Sequence, residues 1–291
     1  MQVSAIVGYD GSPAANAAIE AGASLFPNAR GRVTYLWGPP FASAKVRRRL
    51  RARARDVDEL VEMVEHEGEQ EAHRLVAVGV TLARTAGWEA EPLLRRTFGN
   101  EGLRIAQVAD ELQTELVLVG SRGLGGTQAV LGSVSDMVVH YASRPVLVVP
   151  YPMLAAEHAA LAEGPVAVGW DGSAGAEKAF AAASRLFPDR DVLLVSVDEG
   201  GDTVLPAASA SAGRKVLQLK VDRGRGFHAR TIYDALIGSA REHNAAVVVV
   251  GSRGRSAARE ILLGSVAMGT LHHSHRPVLV VPSEWEAPPE S

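Results

Sequence analysis

The chain has 291 residues, 47% of them hydrophobic and 22% charged, which suits about two globular domains of ordinary size. The net charge of −3 leaves no global basic field to hold nucleic acid or an anionic membrane, and neither partner is expected. There is no cysteine, which excludes disulfides, thiolate metal sites and a cysteine nucleophile.

The chain opens MQVSAIVGYDGS, without the basic stretch and long apolar core of a signal peptide. No run approaches the roughly 18 apolar residues of a membrane helix, so the cytoplasm is the expected location. Residues 3–8 read as a short buried parallel strand. Ser12 is a natural helix cap and Pro13 suits the first helical position, giving a helix that stops near Pro27. Strands are predicted over 33–37, 91–95, 115–119 and 146–149, with helices over 102–112 and 134–141. Between the second and third strands, Lys45, Arg47, Arg48, Arg49, Arg51, Arg53 and Arg55 are followed by Asp56, Asp58, Glu59, Glu62, Glu65, Glu67, Glu69 and Glu71. That pattern predicts one long solvated helix laced with i,i+4 pairs.

The second half repeats the first. Gly8-Tyr9-Asp10-Gly11-Ser12 returns as Gly169-Trp170-Asp171-Gly172-Ser173, and Leu25-Phe26-Pro27 as Leu186-Phe187-Pro188. Gly120-Ser121-Arg122-Gly123 returns as Gly251-Ser252-Arg253-Gly254, Gly132-Ser133-Val134 as Gly264-Ser265-Val266, and the RPVLVVP that starts at Arg144 returns at Arg276. The unit is too long for a solenoid repeat, so these are two whole domains. They are read as 1–151 and 165–284, with an Ala/Glu-rich linker at 152–164 and a tail at 285–291. The second copy lacks most of the long crossover at 38–87; its own, 198–213, is rich in Ala, Ser and Gly. Its strands are expected over 166–169, 192–197, 216–220, 247–250 and 278–281. Alternating strands and helices in each copy predict an α/β fold: two tandem open parallel five-stranded sheets with helices on both faces, Rossmann-like.

In such sheets ligands bind at the carboxyl ends of the strands. Three features fall there: Asp10 or Asp171 after strand one, the Gly-Ser-Arg-Gly turn after strand four, and the Gly-Ser that opens the next helix. Glycines let a backbone approach a ligand, a helix N-terminus suits a phosphate, and a carboxylate accepts hydrogen bonds from a ribose or base. Each glycine reads equally well as a turn former and each serine as a helix cap. Two decoys are set aside. Gly224-Arg225-Gly226-Phe227-His228-Ala229 fits a dinucleotide fingerprint but has no acidic residue at the end of the next strand. His272, His273 and His275 read as a surface helix end rather than a metal site.

The three motifs in this order resemble the universal stress protein family, over nearly all of both copies. Members that bind ATP carry G-x2-G-x9-G-[ST] after strand four, and Gly251, Gly254, Gly264 and Ser265 match it. The resemblance implies an adenine-nucleotide-hydrolase-like fold, ATP with Mg2+ on its phosphates, and a site built from Asp171, Val197, Gly251, Arg253, Gly254, Gly264, Ser265 and Val266. Val197 holds the place at the end of strand two that contacts adenine through its backbone. The first copy departs from the pattern: eight residues, not nine, separate Gly123 from Gly132, and Gly38 stands in Val197's place. Its counterpart positions Asp10, Gly38, Gly120, Gly123, Gly132 and Ser133 therefore rank second. The resemblance also implies that strands 146–149 and 278–281 pair within the chain as a pseudo-dimer, with a homodimer of chains a further option. No catalytic residue is expected, and slow ATPase activity at most. A partner-binding protein without nucleotide stays open as the rival reading.

Overall fold

The computed structural model describes residues 2–38, 44–121, 131–197, 215–221, 228–254 and 263–287. The first copy contributes β1 (Ser4–Gly8), α1 (Pro13–Leu25), β2 (Arg30–Trp37), α2 (Ala44–Arg51), α3 (Val57–Thr85), β3 (Glu89–Arg96), α4 (Glu101–Glu111), β4 (Leu116–Gly120), α5 (Ser133–Tyr141) and β5 (Val146–Val149). α6 (Ala155–Glu163) follows. The second copy contributes β6 (Val166–Gly169), α7 (Ala174–Leu186), β7 (Val192–Val197), β8 (Val216–Val221), α8 (His228–Glu242), β9 (Val247–Gly251), α9 (Ser265–His273) and β10 (Val278–Val281).

Each copy is a parallel five-stranded sheet, and the two join edge to edge in the order β3-β2-β1-β4-β5-β10-β9-β6-β7-β8. The join is antiparallel: Val146, Leu147 and Val148 face Val280, Leu279 and Val278. Strand order reverses between β1 and β4 in one copy and between β6 and β9 in the other, which fixes a crevice at the carboxyl end of each. The strands at these points are apolar throughout and buried, as strands covered on both faces must be.

Two cores flank the sheet. One packs α1, α3, α6 and α7 against both copies; the other packs α4, α5, α8 and α9. In the first core the repeated Leu-Phe-Pro corners meet, with Phe26 and Phe187 ring centroids 5.0 Å apart. Arg185 of the second copy pairs with Glu115 of the first at 2.9 Å.

Two expectations change. The basic and acidic run is not one helix but two. Asp56 caps α3, its Oδ1 accepting from Glu59 N at 2.8 Å, while the Glu59 carboxylate accepts from Arg55 N at 2.6 Å. Nor is α3 merely solvated: Ala72, Val76, Gly79, Val80 and Ala83 bury one face. Arg49 and Arg96 pair with Glu67 and Glu65, across elements rather than at i,i+4. The stretch between the copies is also ordered. α6 buries Glu157, Ala160 and Leu161, and Arg190 donates to the carbonyls of Leu161 and Gly164 at its end (2.7 and 2.9 Å). The short crossover of the second copy and the Gly224–Phe227 decoy lie outside the described residues.

Candidate functional site

The first strand of each copy ends in the same turn. Asp171 Oδ1 accepts from Ser173 N at 3.0 Å, and Gly172 takes φ of 71°. A side chain there would be strained, which is why glycine follows the carboxylate. Ser173 then caps α7, its hydroxyl accepting from Ala176 N at 3.2 Å. One oxygen of Asp171 is thus spent on the turn. The other, Oδ2, faces Gly254: a Cβ on Gly254 would lie 2.9 Å from it. The turn after β9 therefore sits against the carboxylate after β6, across the strand-order reversal.

The glycines divide by what they meet. A Cβ on Gly251 would strike Gly175 O at 2.6 Å, and one on Gly175 would strike Arg253 O at 2.0 Å. These two let the β9 turn rest on the N-terminus of α7, so the close approach that Gly251 permits is by the chain itself. Gly264 differs. Its backbone is extended (φ −73°), and its added Cβ meets only ordinary contact at 3.4 Å. Nothing among the described residues demands glycine at that point.

Gly264 N donates to Ser252 O at 2.7 Å, tying the start of α9 to the β9 turn. Gly264 is the N-cap, and its carbonyl accepts from Met268 N at 3.0 Å. Ser265 is thus the first residue of α9 rather than its cap, with an exposed side chain. The amides of Ser265, Val266 and Ala267 open the helix without intrahelical acceptors, at the positive end of its dipole. Val197 closes β7, paired with Val221. Arg253 lies on the turn, its side chain 24% exposed, with Nη2 3.9 Å from Glu284. Asp171, Arg253, Gly254, Gly264, Ser265 and Val266 thus belong to one end of the second copy. Arg255 lies outside the described residues.

The first copy repeats the frame. Asp10 Oδ1 accepts from Ser12 N at 2.9 Å, Gly120 packs on Ala14 O, Gly132 N donates to Ser121 O at 2.7 Å, and Ser133 opens α5 exposed. Gly38 follows the end of β2; Gly123 lies outside the described residues. The surroundings differ, because α3 is about 43 Å long at 1.5 Å per residue and overruns the strands. Leu75 presses on Gly11, and Gly68 lies beside the Trp37 ring. The phenol of Tyr35 is pushed up from its ordinary value by burial, then by the charges of Asp10 and Glu71.

Sequence reading missed Gly175, which stands where the first copy has Ala14, and it missed the segment after β10. There Ser283 N donates to Ser252 Oγ at 3.0 Å, and Lys178 Nζ donates to Ser283 O at 2.5 Å. His273 ends α9 and stacks on Tyr233, centroids 5.1 Å apart.

The model of the universal stress protein family matches residues 4–150 and again 164–282. A universal stress protein of Mycolicibacterium smegmatis is 35% identical over 187 residues, covering 57% of this chain and 61% of that relative. One from Mycobacterium bovis is 31% identical over 238 residues, covering 73% and 77%. Among solved structures, a universal stress protein from Archaeoglobus fulgidus shares the fold at a TM-score of 0.68 and 19% identity, covering 96% of this chain and 98% of its own.

Proposed function

The chain belongs to the universal stress protein family, and from that premise we propose that it binds ATP through its second copy and acts as a sensor or regulator rather than as an enzyme. The observation that carries this is the position of Gly264. It is a glycine that none of the described residues requires, at the N-terminus of α9, hydrogen-bonded to the turn that rests on Asp171. Amides without intrahelical acceptors at the positive end of a helix suit a polyphosphate. Asp171 and the backbone of Val197 hold the nucleoside; Gly264, Ser265, Val266 and Arg253 hold the phosphates, which bring Mg2+ with them.

The first copy ranks below. Its loop between Gly123 and Gly132 is one residue shorter, and Gly38 stands where the second copy has Val197. The two copies act as an intramolecular pseudo-dimer about the β5–β10 join. No helix among the described residues is long and apolar enough to cross a membrane, and the cytoplasm is the location we assign. A partner-binding protein without nucleotide is the second reading. It is favoured by Phe98, 87% exposed at the carboxyl end of β3 with the Arg96 guanidinium 5.2 Å over its ring.

The test is to denature the purified chain and chromatograph what it releases, beside a Gly254→Trp variant. About one ATP per chain, absent from the variant, is the expected result. Two per chain would restore the first copy as a site. None, with no uptake of added Mg-ATP, would leave the partner-binding reading.

A further inference from the structure

The segment after β10 is anchored at three points, to the β9 turn, to α7 and in the core. Ser283 N bonds Ser252 Oγ, Lys178 Nζ bonds Ser283 O, and Trp285 is sunk in the core at 5% exposure. Between these anchors stands Glu284. Its Oε1 accepts from Ser283 Oγ at 2.9 Å and lies 3.9 Å from Arg253 Nη2. At that length the pair is Coulombic rather than hydrogen-bonded. Among the described residues the buried Nε–H of Arg253 has no hydrogen-bond partner. A mostly buried guanidinium with an unmet donor, facing a carboxylate whose side chain is 71% exposed, is a cation that a better acceptor will claim. The first copy lacks this arrangement: Pro152 stands in the place of Glu284, and Ala17 in that of Lys178.

We propose that Glu284 is a specificity-determining residue of the second copy. It competes with ligand phosphates for Arg253, so that it tempers the preference of the crevice for a triphosphate over the bare nucleoside. The proposal rests on the nucleotide reading above. A triphosphate binds at the expense of the Glu284–Arg253 contact, whereas a nucleoside leaves that contact in place.

The test is calorimetric titration of the full chain with Mg-ATP and with adenosine. It compares the wild type, Glu284→Gln, Arg253→Gln and the double variant. Glu284→Gln should tighten ATP about threefold, the scale of an exposed ion pair, and leave adenosine unchanged. Arg253→Gln should weaken ATP about tenfold, again without effect on adenosine, and in that background Glu284→Gln should do nothing. ATP binding that Glu284→Gln leaves unchanged or weakens overturns the role of Glu284 alone. So does an equal gain for adenosine, or a gain that persists without Arg253. Absence of ATP binding in all four chains overturns the nucleotide reading and this proposal with it.

Discussion

Asp171 does two things with two oxygens, and a conservative substitution separates them. Asp171→Asn keeps an oxygen for Ser173 N, so the turn and the stability should hold within about 0.5 kcal/mol. Loss of the charge facing Gly254 should weaken ATP about tenfold; calorimetry and a denaturant melt on the same preparation check both halves. Tyr35 offers a pH test in the first copy. Its folded pKa is raised above 10 by burial and by the charges of Asp10 and Glu71. The contribution to stability is therefore fully present below pH 10 and is lost as the pH rises through the higher folded value. A phenolate absorbance component appearing only above pH 10, and missing in Tyr35→Phe, is the expected result. The turns that hold Asp10, Asp171 and the glycines after strand four were legible in the sequence because their motifs recur at fixed spacing. Gly175 was not, since its reason lies in the Arg253 carbonyl, 78 positions away in the chain. Ser265 was misplaced by one position because Gly and Ser both serve as caps, and only the backbone angles say which one does.

At the scale of elements, the central strands were readable from their apolar runs, and the observed bounds lie within a few residues of those expected. The helices between the second and third strands were not. Charge composition suggested one solvated rod, while the break depends on the spacing of Asp56 and Glu59, the start signal of a helix. α6 escaped notice because Ala and Glu suit a linker as well as a helix, and only its packing shows which it is. Its anchor, Leu161, is 1% exposed in the core shared by both copies. Leu161→Ala should cost about 2–5 kcal/mol, measured as a fall in the denaturant midpoint. A cost near zero would show that α6 is a tether with no share in the core.

For the whole molecule, the shared core predicts one cooperative transition rather than two. Residues of both copies pack together in it from Val3 to Trp285, so calorimetry should give a single peak. Its midpoint should not move across a hundredfold dilution, because both sides of the β5–β10 seam belong to one chain. The seam itself is short, at three residue pairs. The shared core adds the Phe26–Phe187 and Arg185–Glu115 contacts to it, and α6, by tethering the halves, makes their pairing independent of chain concentration.

The same join has a hereditary consequence. Where two identical chains meet across a twofold axis, every substitution is written twice, and neither half can change without the other. Here the halves are encoded separately, so each can drift alone. The residue missing between Gly123 and Gly132, and the long crossover present in one copy only, record that freedom.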